Sequence, residues 1–300
     1  MSSVKVAAKE ATTVKKNRLS LFLETIKFEH TIFALPFAYI ALFLVSDGWP
    51  SLSNLVWITI AMAGARTFGM GVNRIIDARI DADNPRTAQR ALASGKLSML
   101  EGIVFVAVAL AVFLIAVYQL SEWAGYLWPP VIFMMTAYPY FKRFTWLCHL
   151  GLGLTYLMVP SGVWVAVANE ISLSSVVLSL AAMFWVTGFD LIYACQDVEV
   201  DRKQGLNSFP SKFGIGAGLN AAKVMHIFTV LALAVAGITL DAGPLYYVGV
   251  AIAAAILFYE HTIVSPRDLS KLNAAFFTMN GVMSVVFFIF VAADVLIRSN

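Results

Sequence analysis

Charge is scarce in this sequence: Asp, Glu, Lys and Arg make up only 13% of its 300 residues, while 60% are hydrophobic. Soluble domains carry about 25% charged residues, so this composition excludes an ordinary soluble fold. Alternating strands of about ten residues, the mark of a membrane β-barrel, are missing too. Cysteine is nearly absent. Cys148 and Cys195 stand alone in apolar stretches, with no partner at metal-ligand spacing, and read as small buried hydrophobes. The histidines (His30, His149, His226 and His261) are scattered, with no pair three or four apart, which leaves a zinc or haem site without support. His30, in "KFEH", is the hardest to set aside, because it lies near the cytoplasmic end of the first apolar run. Lys and Arg are absent from four particular stretches: "SDGWPSLS", "QLSEWAG", "ANEISLS" and "LDAGPL".

What the sequence has in quantity is long apolar runs. Nine recur, at 22–46, 53–78, 99–120, 124–141, 145–168, 172–196, 217–239, 243–262 and 272–297. Runs about 20 residues long read as transmembrane helices, because backbone in lipid has to satisfy its own hydrogen bonds. The expected fold class is all-α: a polytopic membrane protein of about nine transmembrane helices, in one domain over 20–300. A basic tail over 1–19, with Lys5, Lys9, Lys15, Lys16 and Arg18, precedes it. The long apolar segment that follows lacks a small-residue cleavage site, so the start does not read as a secretory signal.

The basic residues concentrate after the even-numbered runs: Arg79, Arg86, Arg90 and Lys96; Lys142 and Arg143; Arg202, Lys203 and Lys212; Arg267 and Lys271. The positive-inside rule then places the N-terminus and these loops in the cytoplasm and, with an odd helix count, the C-terminus outside. The expected location is a prokaryotic cytoplasmic membrane. The net charge of +3 points to membrane through its distribution. No nucleic acid and no obligate protein partner is expected.

Two acidic clusters end even-numbered runs. "NRIIDARID" at 73–81 places Asn73, Asp77 and Asp81 four apart, and "DLIYACQDVEVD" places Asp190, Tyr193, Asp197 and Asp201 at intervals of three, four and four. On a helix such spacing makes one stripe. Asn73 and Tyr193, Asp77 and Asp197, and Asp81 and Asp201 are each 120 residues apart, a spacing compatible with internal duplication. Two carboxylates about 6 Å apart near a membrane surface repel by roughly 3 kcal/mol at an effective dielectric of about 20. Such clusters call for a compensating cation. A hard divalent ion with oxygen ligands supplies it, and Mg²⁺ characteristically shares carboxylates with substrate phosphates. The candidate metal set is Asn73, Asp77, Asp81, Asp197 and Asp201, gripping a diphosphate from two sides. Solvated helix ends are the plainer reading, and Asp83 with Arg79 and Glu199 with Lys203 fit it as surface pairs.

The bases after each cluster (Arg86, Arg90, Lys96, then Arg202, Lys203 and Lys212) suit the rim of a phosphate site, although positive-inside bias alone places some of them there. Arg66 lies seven residues before Asn73, on the same helical face and deeper, where charge is costly; it is expected to pair with a carboxylate.

The two motifs, in order and on one membrane side, resemble the signature regions of the UbiA superfamily of intramembrane aromatic prenyltransferases. "NRIIDARIDADNPRTAQRALASGKLS" has the NxxxDxxxD form of the first, and "DLIYACQDVEVDRKQGLNSFPSKFG" the DxxYAxxDxxxD form of the second. "AYPYFKRFTW" and "KFEHTIFALPFAY" are similar to segments of the 4-hydroxybenzoate polyprenyltransferase branch. The resemblance spans about residues 20 to 297. It implies a helical bundle around a central cavity, open laterally to lipid for a polyprenyl chain. It also implies Mg²⁺-dependent transfer of a polyprenyl group from an allylic diphosphate to a small aromatic acid.

By the same resemblance, Asp190 would hold the acceptor phenol or take its proton, and Tyr193 would orient the diphosphate or stabilise the allylic cation. Asn73, Arg86, Arg90, Lys203 and Lys212 would bind substrate, and Arg66 would belong to the catalytic set. Lys142 and Arg143 would recognise the acceptor carboxylate, or serve only as topology anchors. The "CQDVEVDR…GLNSFP" wording is also similar to a sister branch acting on a naphthoate in menaquinone synthesis. A reading from another class is an ion-coupled transporter, whose sites usually lie near the bilayer midplane rather than at helix ends.

Overall fold

The computed structural model describes residues 17–27 and 31–299. Lys5, Lys9, Lys15, Lys16 and His30 lie outside the described residues. The described chain is helical: α1 (Arg18–Thr25), α2 (Thr31–Ser46), α3 (Leu52–Ile76), α4 (Ala78–Ala82), α5 (Met99–Leu120), α6 (Glu122–Phe141), α7 (Cys148–Ala168), α8 (Leu173–Ala194), α9 (Val198–Gln204), α10 (Phe209–Phe213), α11 (Ile215–Thr239), α12 (Pro244–Glu260) and α13 (Asn280–Arg298). A 3-10 turn, Cys195–Asp197, joins α8 to α9, and a π-helical turn, Ala274–Met279, leads into α13.

Among the described residues, eight of the nine apolar runs each coincide with one main helical stretch. Six helical stretches among the described residues are long and apolar enough to cross a membrane, and Leu35–Ser46 and Pro244–Glu260 are shorter apolar helices. Helix α6, 20 residues long, carries Pro129, Pro130 and Pro139. Membrane helices accept such breaks where other groups satisfy the freed carbonyls, and at the end of α6 Arg143 donates to the Pro139 carbonyl at 2.8 Å. Ser51, Ser98, Ser121 and Ser172 each cap the helix that follows by accepting a backbone N–H.

The first run differs from its expectation as one helix over 22–46. Helix α1 ends at Thr25 and Lys27 adopts φ 50°, a left-handed conformation that stops the helix. The freed carbonyls of α1 are taken across the bundle: Arg74 donates to Thr25 O at 3.2 Å and Arg66 to Ile26 O at 3.5 Å.

Neighbouring helices close a ring, in the order α2, α3, α5, α6, α7, α8, α11, α12 and α13, with α13 returning to α2. Close approach rests on small residues. A Cβ on Gly64 of α3 would lie 2.9 Å from the Phe113 backbone of α5, and one on Gly153 of α7 would lie 2.8 Å from the Met183 carbonyl of α8. The largest apolar core joins Phe37, Trp185, Tyr246 and Phe287. Leu100, Val104, Val108 and Ile115 stay exposed along α5, as a lipid-facing surface requires.

Candidate active site

The ring encloses a cavity of about 800 Å³. One end is walled by apolar side chains, among them Met62, Phe113, Trp128, Val131 and Val159; the other gathers Asn73, Asp77, Asp81, Asp190, Tyr193, Asp197 and Asp201. From Ile58 to Asp77 the lining spans roughly 28 Å of helix α3, close to the full hydrocarbon thickness. The two motifs therefore share one chamber, as their sequence pattern predicts.

Neither motif is one continuous helical stripe. Helix α3 ends at Ile76, and Asp77 takes φ −94°, ψ 3° before α4 begins. The second motif repeats this: Asp197 takes φ −100°, ψ 1° between the 3-10 turn and α9. Both middle acids sit in the sparsely populated bridge region, which recurs at active sites. The outer acids consequently leave the line that a regular 3.6-residue helix would draw.

Each carboxylate has its own partner. Asp77, 2% exposed, accepts from Lys142 Nζ on one oxygen and from Arg143 Nη2, at 3.0 Å, on the other. Asn73 donates to Asp77 at 3.4 Å and accepts from Arg74 at 2.7 Å. Asp81 accepts from Arg90 at 2.7 and 2.8 Å. Asp197 takes both prongs of Arg86, at 3.0 and 2.6 Å, with Asn84 adding a bond at 3.2 Å. Such a fork is the strongest arrangement available to an arginine and a carboxylate. Burial works against the Arg86 charge, but the hydrogen bond to Asp197 together with the charge interactions with Tyr193, Asp197 and Asp81 outweighs it and holds the guanidinium above its ordinary value. Arg86 also donates to Tyr193 Oη at 2.9 Å, and the Tyr193 ring stacks on Phe276 at 4.0 Å. Asp201 accepts from Ser208 Oγ at 2.6 Å, and Asp190 pairs with His149 Nδ1 at 2.6 Å.

Among the described residues, no three His, Cys, Asp or Glu side chains are arranged to hold a metal ion. The donor set nevertheless suits a hard divalent cation: four carboxylates and an amide at one end of the chamber. Gln204 adds to it. Its Nε2 donates to Ile80 O at 3.0 Å, linking the motifs, while its buried Oε1 has no hydrogen-bond partner.

The predicted residues separate accordingly. Arg86, Arg90 and Lys142 line the chamber, as does Arg66, which donates to a main-chain carbonyl of α1. Arg143 reaches the site through Asp77. Lys142 and Arg143 are thus both tied to the first acidic motif through Asp77. Lys203 and Lys212 are not brought in: Lys203 is exposed outside the chamber, and Lys212 lies over the rings of Trp146 and Phe213 at 5.8 and 5.4 Å. Glu199 pairs with Arg202 at 3.7 Å, one residue before the Lys203 expected for it. His149, Asn84 and Gln204 were not legible as site residues. The 120-residue offset between motifs was the usable signal, since it marks Asn84 and Gln204 as equivalent in position.

Comparison with known proteins agrees. The sequence model of the UbiA prenyltransferase family matches residues 34–282. The chain is 30% identical over 283 residues to a protein named 4-hydroxybenzoate octaprenyltransferase from Aromatoleum aromaticum, covering 92% of this chain and 95% of that one. It is 31% identical over 248 residues to one of the same name from Xanthomonas euvesicatoria pv. vesicatoria, covering 82% of each. The apo structure of a UbiA homolog from Aeropyrum pernix K1 superposes with a TM-score of 0.81 at 31% identity, over 90% of this chain and 99% of that one. A UbiA homolog from Archaeoglobus fulgidus, solved bound to GPP and Mg²⁺, shares the fold with a TM-score of 0.69 at 20% identity, over 92% and 99%. The chain belongs to the UbiA prenyltransferase family.

Proposed function

We propose that the protein transfers a polyprenyl group from an allylic diphosphate to 4-hydroxybenzoate, at the cytoplasmic face of a prokaryotic membrane. The observation that carries this reading is the chamber itself, apolar along its length and closed at one end by both acidic motifs with their bases. The polyprenyl chain lies in the apolar length, and the diphosphate sits among Arg86, Arg90 and Lys142. The relatives named for 4-hydroxybenzoate support that acceptor over a naphthoate. The prenyltransferase family sets aside the transporter reading. The basic loops after α4, α6 and α9 meet at the acidic end, where Asn207 N–H donates to Lys142 O, which supports a cytoplasmic site.

Asn73, Asp77, Asp81, Asp197 and Asp201 would hold Mg²⁺, with Gln204 Oε1 as a further oxygen donor. When bound, the ion neutralises diphosphate charge. Arg86 and Arg90 then stabilise the charge that grows on the diphosphate as its C–O bond to the allylic carbon breaks. Tyr193 holds Arg86 both through its hydroxyl and with its ring beneath the guanidinium, and so orients the arginine that meets the diphosphate. Asp190 accepts the acceptor hydroxyl, and the ring carbon attacks.

The test is purified protein in detergent with a polyprenyl diphosphate, Mg²⁺ and either 4-hydroxybenzoate or a dihydroxynaphthoate. The expected result is a prenylated 4-hydroxybenzoate. Product with the naphthoate alone would reassign the acceptor. No product with any aromatic, together with ion-dependent uptake into vesicles, would overturn the enzyme reading.

A further inference from the structure

Asp190 is held by an imidazole that no sequence pattern announced. His149 is the second residue of α7 and is 5% exposed. Its Nε2 accepts the backbone N–H of Phe209 at 3.2 Å. That N–H belongs to the first residue of α10, a position whose amide has no partner within its own helix. Which imidazole nitrogen carries the proton is set by the hydrogen bond the other one makes. With Nε2 an acceptor, the ring proton sits on Nδ1, 2.6 Å from Asp190 Oδ2. The Phe209 bond therefore makes Nδ1 the nitrogen that donates to Asp190. The Asp190 side chain remains 26% exposed, both residues line the chamber, and Asp190 precedes Tyr193 on α8 by about one turn.

We propose that His149 and Asp190 form a dyad that accepts the proton of the acceptor hydroxyl, with His149 as a positioning residue locked in its tautomer by Phe209 N–H. The proposal rests on the prenyl-transfer reading above. His149 occupies Oδ2, and Oδ1 is the oxygen left for the acceptor. The acceptor O–H bond breaks, its proton passes to Asp190 Oδ1, and its electron pair flows through the oxygen into the ring. A ring carbon bonds to the allylic carbon as the C–O bond to diphosphate breaks, and that bond's electrons leave on the diphosphate. The ring carbon then gives up its hydrogen as a proton and the oxygen recovers one from Asp190. The product is aromatic and one proton is released per turnover.

Two substitutions separate the two hydrogen bonds of His149. His149→Asn keeps a donor where Nδ1 stands and gives up Phe209; His149→Gln keeps an acceptor where Nε2 stands and gives up Asp190. We expect H149Q to lower kcat about 100-fold, matching Asp190→Asn, and H149N to stay within about fivefold of wild type. Both should bind a polyprenyl diphosphate with Mg²⁺ as the wild type does, which shows that they are folded. A fast H149Q with a slow H149N would reduce His149 to a staple for α10 and overturn the proposal. So would wild-type kcat in both, or loss of diphosphate binding in H149Q. Failure of the wild-type protein to prenylate any aromatic would instead defeat the underlying reading, and is seen before any variant is made.

Discussion

The two acidic motifs repeat one backbone device and differ in what holds their carboxylates. In both, the helix breaks at the middle acid with nearly the same dihedral angles, −94° and 3° at Asp77 and −100° and 1° at Asp197. The first motif is the buried wall: Asp77 and Asp81 are 2% and 7% exposed, tied to Lys142 and Arg143 from the end of α6 and to Arg90. The second is the more open side, where Asp197 and Asp190 keep 15% and 26% of their side chains exposed. Each motif also reaches into the other. Asn84 and Arg86, which follow the first, hold Asp197; Gln204, which follows the second, holds the Ile80 carbonyl. The two motifs thus form a buried jaw and a more accessible jaw, cross-linked by the residues that follow each.

The largest effects should come from removing an acid on either side. Asp77→Ala and Asp197→Ala should each lower turnover by about a thousandfold or more, since charge stabilisation at the diphosphate carries most of the rate. They should differ in stability. Losing Asp77 takes the carboxylate from the half-buried Lys142 and Arg143, which costs about 1–3 kcal/mol. Asp197→Ala should cost less, and thermal unfolding in detergent would show the difference. Equal unfolding temperatures would erase the contrast between jaws.

Next in size is the cross-link. Arg86→Ala should lower kcat/KM by about 10²–10³-fold, and Arg86→Lys should recover little of it, because a lysine cannot fork to Asp197. Recovery by lysine would show that only the charge matters. Gln204→Leu should act more gently, raising the Mg²⁺ concentration for half-maximal activity about tenfold. An unchanged Mg²⁺ requirement would remove Gln204 from the site. The smallest effect should come from Lys203→Ala and Lys212→Ala, both within about twofold of wild-type kcat/KM, as for surface positions away from the chamber. A large loss in either would extend the phosphate rim beyond the chamber wall.

These residues also mark how far the sequence could be read. Apolar runs, positive-inside loops and motif spacing are local properties of the chain, so the nine helical segments and the joint chamber were visible in it. The breaks at Asp77 and Asp197 were not, because four-residue spacing looks the same with or without a local departure from helix. Nor were the partners of the acids, since Lys142 and Asp77 lie 65 residues apart and His149 and Asp190 lie 41 apart. His226 and His261, scattered in sequence, likewise meet at 2.9 Å. Lys203 failed for a simpler reason: two residues beyond Asp201, a helix has turned its side chain away from the face that Asp201 uses.

The central claim, that both jaws grip one diphosphate through a shared cation, is tested most directly by a binding cycle. Affinity for a non-reactive thio-analogue of a polyprenyl diphosphate would be measured with and without Mg²⁺ for wild type, Asp77→Asn, Asp197→Asn and the double variant. The account predicts that each single substitution removes the Mg²⁺-dependent part of the affinity and that the double variant loses little more. Independent, additive losses, or binding that never depended on Mg²⁺, would contradict it.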